Sequence, residues 1–332
     1  MSDVYRIYGV ELSPFSVKIR SFFRYKQIPH RWIVRNSETM ADYQKYAKIP
    51  IVPLVVTPDG RGIQDSTPIM EAMEELFPDS STHPNDPISN FVSLLLEEFG
   101  DEWGNKWMFH LRWAREEDRL SAAGRIAAVM APKGNEEARI AIRAQVIERM
   151  TGRVYFVGSN EVTAPQIEQS FLDALALLDI HLENRPYLFG GRPAFGDFGL
   201  WGQIYSAWTD PTAAAWIEGS APNVLDWIHR MLFPRAEGEF ESWADVESTL
   251  APFLAGQVGA LFCPWTVANA TAIAAGEEEF SVELDGRTFT QKPQKYHAKS
   301  LLAIREKYAK APDKGGLDPV LERADCLSAM QG

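Results

Sequence analysis

Residues that serve metal and disulfide chemistry are scarce in this sequence. Its 332 residues include two cysteines, Cys263 and Cys326, and six histidines. Two cysteines exclude the disulfide framework of small secreted domains, and they fit a reducing compartment. The histidines are scattered, and no set of histidines, cysteines and carboxylates has the spacing of a metal site. We therefore expect a protein that uses no metal.

An excess of positive charge is also missing. The chain has 33 basic and 45 acidic residues, which give a formal net charge of −12. Such a chain repels a phosphate backbone, so we do not expect nucleic acid as a partner. Apolar residues, in contrast, are plentiful: 45% of the chain is hydrophobic and 11% is aromatic. The length and composition suffice for two domains, each with its own core.

Targeting signals are missing as well. The start of the chain, Met1 to Arg6, has no apolar core of a secretory signal, so we expect a cytoplasmic protein. Residues 248–276 carry no charge and are long enough to span a bilayer, but they contain Pro252, Pro264 and several polar residues. We interpret this run as two buried helices broken near Pro264, and we expect no association with a membrane.

Strand and helix patterns alternate in the first 76 residues. The predicted order is β-α-β-α-β-β-α, which describes a small three-layer domain that opens with a parallel β-α-β unit. The elements are strand 4–9, a helix with Phe15, Ile19 and Phe22 on one face, strand 30–34, helix 42–46, strands 52–56 and 61–64, and helix 67–76. Prolines at positions 78, 84 and 87 mark a linker.

Helical periodicity dominates the rest of the chain. Apolar residues recur every three or four positions from residue 88 onward, which predicts an all-α domain. One exception is residues 280–289, where alternation around Asp285-Gly286 predicts a β-hairpin before a last helix at 296–308. We predict domains at 1–78 and 89–332, joined by a linker at 79–88, with a C-terminal extension from about residue 235.

Three short motifs lie at the junctions of the N-terminal elements. They are Ser13-Pro14-Phe15-Ser16, Ile51-Val52-Pro53-Leu54 and Gln64-Asp65-Ser66. Ser13 precedes a proline at the first helical position, so it is a good N-cap. A hydroxyl there, beside the positive end of a helix dipole, can also stabilise a sulfur anion. A plain capping role is the alternative for Ser13, and the same holds for Asp65 and Ser66.

In this fixed order the motifs resemble those of the glutathione S-transferase family. The resemblance covers residues 4–78 well and the helical part through residues 191–198. It implies a thioredoxin-like βαβαββα domain followed by an all-α domain, which here has a long extension with a short hairpin. It also implies glutathione as co-substrate, a transferase that conjugates glutathione to a small apolar electrophile in detoxification, and a homodimer.

The resemblance assigns roles to residues of the first domain. Ser13 would hold the glutathione thiolate, with Ser16 and Tyr8 as runners-up. Pro53 would be cis, and the backbone of Val52 would pair with the bound tripeptide as an added strand. The γ-glutamyl end would contact Gln64, Asp65 and Ser66.

Aromatic residues near the start of the helical domain are candidates for the second substrate. The resemblance implies that a helix here lines an apolar pocket, and we assign to that pocket Phe15, Trp103, Trp107 and His110. The alternative for the tryptophans is the domain core, and for His110 it is a structural hydrogen bond.

The helical domain departs from the family pattern at Ala194. The family has Ser or Thr there, three residues before the Asp of a capping box, which is Asp197 here. Either Asp197 caps the helix alone or the helix start is shifted. Two other functions remain open: a non-catalytic glutathione-transferase-like binding or scaffold protein, and a glutathione-dependent dehalogenase or ether-cleaving enzyme.

Overall fold

The N-terminal domain has the predicted order of elements. The computed structural model describes residues 4–332. The elements of this domain are β1 (Tyr5–Gly9), α1 (Pro14–Tyr25), β2 (His30–Val34), α2 (Met40–Tyr43), β3 (Leu54–Val56), β4 (Gly62–Gln64) and α3 (Ser66–Leu76). The sheet order is β2-β1-β3-β4, in which only the β1–β2 pair is parallel. The predicted thioredoxin-like arrangement is confirmed.

Alternation along the strands builds the three layers. Successive side chains of a strand point to opposite faces of its sheet. Ile7 and Val55 are buried in the core shared with α1 and α3, whereas Tyr8, Leu54 and Val56 are buried in a smaller cluster with residues of α2. The register is therefore set by burial on both faces.

Eight helices follow as far as residue 232. They are α4 (Pro87–Phe99), α5 (Asn105–Ala114), α6 (Glu116–Met130), α7 (Glu136–Thr151), α8 (Ala164–Leu182), α9 (Phe195–Trp208), α10 (Pro211–Ser220) and α11 (Pro222–Leu232). A π-helical turn, Gly100–Gly104, joins α4 directly to α5. The domain boundaries at residues 78 and 88 stay predictions.

Helix α9 lies at the centre and contacts both domains closely. A Cβ added at Gly199 would lie 2.7 Å from Cα of Glu97 in α4, and one at Gly202 would lie 2.8 Å from the carbonyl oxygen of Pro14 in α1. Only glycine permits such approaches of one backbone to another. Gly202 therefore permits the close contact of α9 with the start of α1, and Gly199 permits that of α9 with α4.

The C-terminal extension corrects one expectation. It consists of α12 (Trp243–Phe253), a π-helical segment (Leu254–Phe262), α13 (Cys263–Ala275), β5 (Phe280–Leu284), β6 (Arg287–Gln291), α14 (Lys295–Ala309), α15 (Lys314–Arg323) and α16 (Leu327–Gln331). The break predicted near Pro264 is wrong, because 243–275 is one continuous helix of 33 residues. Pro264 follows the π-helical segment, where the altered hydrogen-bond pattern accommodates a residue without an amide hydrogen.

By length and composition, this continuous helix could cross a membrane. Its large apolar residues, however, are buried in the core, among them Leu250, Phe253, Phe262 and Trp265. The β5–β6 hairpin that follows it is confirmed, with positive φ at both Asp285 (48°) and Gly286 (70°), as a type I′ turn requires.

Asp197 caps α9 alone, without a hydroxyl group at position 194. The start of the helix is not shifted, which was the other expected arrangement. The Asp197 carboxylate accepts hydrogen bonds from the amides of Ala194 (2.9 Å) and Leu188 (2.9 Å) and from the indole of Trp227 (3.0 Å). Burial raises its pKa to about 7, while these donors oppose the rise. One carboxylate thus joins the start of α9 to α11 and to the loop before α9.

Replacing Asp197 with Ala should lower the free energy of unfolding by about 3 kcal/mol or more, because three buried donors lose their acceptor. Urea unfolding measures this change. Asp226→Ala is the matched control, since Asp226 is exposed on α11 and should shift the free energy by less than about 0.5 kcal/mol. Equal stability of the two variants would contradict the capping role.

Gly259 should be irreplaceable where the extension folds back on its own core. A Cβ at Gly259 would lie 1.8 Å from the carbonyl oxygen of Ala324, whereas one at Gly256, in the same π-helical segment, would find its nearest atom 4.0 Å away. Gly259→Ala should cost about 2 kcal/mol of stability, while Gly256→Ala should be neutral or slightly stabilising. Thermal unfolding of both variants tests this, and similar melting temperatures would contradict it.

Candidate functional site

The three motifs meet at one edge of the sheet. In the antiparallel register, Tyr8 of β1 lies opposite Leu54 of β3, and Leu54 lies opposite Gln64 of β4. The end of β1, the start of β3 and the end of β4 therefore share an edge. The loop to Ser13, the Val52-Pro53 bond and the turn into α3 all leave from that edge.

Ser13 is the N-cap of α1. Its Oγ accepts a hydrogen bond from the amide of Ser16 at 3.2 Å, and its side chain is half-buried. The hydroxyl hydrogen stays available to a ligand at the positive end of the α1 dipole. The geometry can therefore stabilise an anion at this position.

The two runners-up lie in different surroundings. Ser16 is fully buried, and its Oγ has no hydrogen-bond partner within residues 4–332. Tyr8 is fully buried on the sheet face that carries α2, where its phenol donates to the carboxylate of Asp42. Burial and that hydrogen bond raise the pKa of Tyr8 to about 12, so the phenol keeps its proton near neutral pH. Of the three hydroxyl groups, only that of Ser13 belongs to a side chain that is not fully buried.

The loop before Ser13 is held by residues that the sequence analysis did not single out. The guanidinium of Arg20 donates two hydrogen bonds to Glu11, at 2.5 and 2.8 Å, and the phenol of Tyr205 donates a third at 2.7 Å. Burial works against ionisation of Glu11, but these donors keep its pKa below the ordinary value. Arg112 of α5 donates to the carbonyl of Leu12 at 2.7 Å. Helices α5 and α9 thus position Ser13.

The Val52-Pro53 peptide bond is cis, as the resemblance implies. Neither the amide nor the carbonyl of Val52 has a hydrogen-bond partner in the described part of the chain. Both groups are therefore available to an extended peptide at the start of β3.

The side chain of Gln64 is hydrogen-bonded to the neighbouring loop. Its Nε2 donates to the carbonyls of Ile49 (2.8 Å) and Ile51 (3.1 Å), and its Oε1 accepts from the amides of Lys48 (2.7 Å) and Ile49 (3.1 Å). In this conformation the side chain shapes the loop before Val52 and has few groups left for a ligand.

Asp65 and Ser66 form the turn into α3. Asp65 has a φ of 78°, a region that costs a non-glycine residue free energy and is concentrated at functional sites. Ser66 is 1% exposed, and its Oγ donates to Asp101 at 3.3 Å. The ammonium of Lys18 binds Glu97 (2.5 Å) and Asp101 (2.7 Å) beneath this turn.

This charge cluster is short of cations. Burial raises the pKa of Asp101 to about 7, while Lys18 opposes the rise. Glu97 is buried too, but Lys18 lowers its pKa below the ordinary value. Burial disfavours the charged form of Lys18, yet the two carboxylates outweigh it and raise its pKa. The negative charge of Asp65 adds to the raised pKa of Asp101, so a positive charge bound at Asp65 would lower that pKa.

The residues assigned to the substrate pocket are divided between two places. Trp103 and Trp107 are each 1% exposed, and both indoles donate to Ser170 Oγ at 2.9 Å, so they lie in the core against α8. His110 is also buried, hydrogen-bonded to Ser159 (2.7 Å) and Glu168 (2.9 Å), and burial lowers its pKa. For these three, the structure supports the structural alternative.

The apolar surface beside Ser13 comes from other residues. Leu12 and Phe109 of α5 are half-buried and pack against a cluster around the buried Trp113. Phe15 is half-buried on the first turn of α1. The cluster continues with residues of α6, α7 and the following turn, where the sequence analysis assigned no site residue: Ile126, Val146, Ile147, Met150 and Val154. A cavity of about 810 Å³ lies elsewhere, at the C-terminal end of α1 beside Phe233, and no motif residue lines it.

Gln64→Glu should loosen the loop before Val52. The new carboxylate keeps the acceptor for Lys48 but faces two carbonyls without a hydrogen to donate. Amide hydrogen exchange at Lys48 and Ile49 should become severalfold faster. Gln44→Glu makes the same change on an exposed side chain and should leave this exchange unaltered. Unchanged exchange in both variants would contradict the role of Gln64.

Two family models match parts of the chain. Residues 12–76 match the family model described as glutathione S-transferase, N-terminal domain, and residues 144–230 match glutathione S-transferase, C-terminal domain. The first match includes all three motifs, and the second begins within α7. No curated protein matches the chain.

Among solved structures, 239 chains match. One is a glutathione S-transferase from Methylobacterium radiotolerans in complex with glutathione sulfonate, 18% identical, with 72% of this chain and 97% of that chain covered and a TM-score of 0.43. Another is a glutathione S-transferase from Methylobacillus flagellatus with glutathione bound. It is 18% identical, with 69% of this chain and 94% of that chain covered and a TM-score of 0.39. A third is the glutathione transferase GSTFuA3 from Phanerochaete chrysosporium. It is 14% identical, with 70% of this chain and 97% of that chain covered and a TM-score of 0.48.

Proposed function

The chain belongs to the glutathione S-transferase family, and from that premise we propose that it binds glutathione at the sheet edge and conjugates it to an apolar electrophile. The observation that carries the proposal is Ser13, a half-buried hydroxyl at the N-terminus of α1. It leaves the sheet at the same edge as the unpaired backbone groups of Val52 and the carboxylate of Asp65. The three groups match the thiol, the backbone and the ammonium of one tripeptide.

Ser13 acts on the sulfur. A thiol with a pKa of about 8.5 is mostly protonated at neutral pH, and lowering that pKa by about two units takes about 2.7 kcal/mol of preferential binding to the anion. A hydrogen bond to a charged group contributes about 1.5–3 kcal/mol, and the helix N-terminus adds about 0.3–1 kcal/mol. Together, the hydrogen bond and the helix N-terminus can supply the free energy that this lowering of the thiol pKa requires.

The rest of the tripeptide is held by backbone and charge. The amide and carbonyl of Val52 pair with the cysteinyl unit as an added strand. Asp65 accepts from the γ-glutamyl ammonium. Ser66, at the start of α3, offers its amide to the γ-glutamyl carboxylate.

The electrophile binds against the half-buried apolar side chains of Leu12, Phe15 and Phe109. The thiolate forms a bond to an electrophilic carbon, the leaving group departs with the bonding electrons, and the thiol proton has already passed to solvent. The protein contributes proximity and an ionised sulfur, and it forms no covalent bond to either substrate. Serine at position 13 cannot form the mixed disulfide that a cysteine-based reductase uses.

A non-catalytic binding or scaffold protein is the second candidate. The observation that favours it is the contact between Asp65 and Tyr296 of the extension, which covers part of the proposed site. We further propose a cytoplasmic location and a homodimer, both of which follow from the family.

Ser13→Ala should lower the rate of conjugation to a generic aryl halide by about 10- to 100-fold, because it removes one charge-assisted hydrogen bond. Ultraviolet titration of the bound thiol should show a higher pKa in this variant. The glutathione Kd, measured by calorimetry at low pH where the thiol is protonated in both proteins, should be unchanged.

Ser16→Ala is the matched control, because it removes an unpartnered hydroxyl from the same turn of α1. It should keep the wild-type rate. A full rate in Ser13→Ala with a reduced one in Ser16→Ala would transfer the role to Ser16. Glutathione binding without turnover in the wild type would favour the scaffold function.

A further inference from the structure

Helix α14 of the extension lies across the turn that carries Asp65. At its first turn, the phenol of Tyr296 donates a hydrogen bond to Asp65 Oδ2 at 2.6 Å. Next to it, His297 contacts Glu102, and Ser300 donates to Glu102 at 2.8 Å. These contacts join α14 to the π-helical turn after α4, at the rim of the proposed γ-glutamyl subsite.

The Tyr296 phenol uses the same acceptor that the ligand needs. Asp65 is the carboxylate that would receive the ammonium of glutathione, and one of its oxygens already accepts from Tyr296. Desolvation at the phenol oxygen, although much of the residue is exposed, and this hydrogen bond both raise the pKa of Tyr296, so its phenol remains a donor at physiological pH. A carboxylate has two acceptor oxygens, so a bound ammonium that takes Oδ2 has to displace the phenol.

The side chain of Tyr296 is able to move while its helix stays in place. Tyr296 is 54% exposed, whereas Leu301, Ile304 and Tyr308 on the same helix are buried. The segment just before α14 is tied down too, since Asn269 donates to the carbonyl of Gln294 at 3.0 Å and accepts from its amide at 2.8 Å. A rotation of one side chain, without unfolding of α14, would free Asp65.

We propose that Tyr296 is a gate on the γ-glutamyl subsite: its phenol holds Asp65 in the free protein and is displaced by the amino group of glutathione. The inference rests on the proposed function. A binding-competent state that is only partly populated weakens the apparent affinity by that fraction. Tyr296 thus sets the affinity for glutathione and restricts the subsite to ligands that carry a cationic amino group.

The test compares the full-length wild type with Tyr296→Phe by calorimetry. The variant keeps the ring and removes only the donor, so it should bind glutathione about five- to tenfold more tightly, as expected for the loss of one competing hydrogen bond. Glutathione that lacks its amino group should bind the two proteins equally, because it does not compete for Asp65. Ser300→Ala, which changes a neighbouring contact of α14, should leave both affinities unaltered.

Other results would overturn the gate. Equal or weaker glutathione binding by Tyr296→Phe would show that the phenol does not compete with the ligand. An equal gain for the ligand without an amino group would show a general loosening of the site. If neither protein binds glutathione at millimolar concentration, the proposed function fails and the gate fails with it, whereas binding that Tyr296→Phe does not strengthen overturns the gate alone.

Discussion

The candidate site depends on one constraint, the pairing of β3 with β1 on one side and with β4 on the other. Leu54 lies opposite Tyr8 on one side and Gln64 on the other, and its side chain is buried against α2. A slip by one residue would turn every side chain of β3 to the wrong face, so burial fixes the register. With that register set, three motifs that are up to fifty residues apart in the sequence leave the sheet at one edge.

Buried charge joins this edge to the helical domain. Lys18 of α1 binds Glu97 and Asp101, which lie after the linker, and Ser66 of α3 lies against the same group. Removing one member of such a network leaves an uncompensated charge in a place without water, which is strongly destabilising. The network therefore holds the starts of α1 and α3 at a constant distance from α4, and with them the two ends of the proposed glutathione site.

The extension is part of the site as well as part of the fold. Its long helix 243–275 belongs to the hydrophobic core, and α14 returns from the hairpin to lie over α3 and α4. The salt bridge between Lys307 and Glu71, at 2.7 Å, and the hydrogen bond from Tyr296 to Asp65 are two points where α14 meets the N-terminal domain. The extension thus reaches the proposed γ-glutamyl subsite, whereas α5 and α9 hold the loop before Ser13.

The sequence by itself determined the order of strands and helices in the N-terminal domain, the hairpin at Asp285-Gly286 and the position of Ser13 at the start of α1. Each of these follows from periodicity or from local backbone preferences, which a short window contains. Only the tertiary structure decided which side chains meet. Two hydrogen-bonded pairs, Glu11 with Tyr205 and Asp65 with Tyr296, are each about two hundred residues apart in the sequence. Their contacts depend on how whole helices pack. Helical spacing likewise puts Trp103 and Trp107 on one face, but only packing shows that this face is the core.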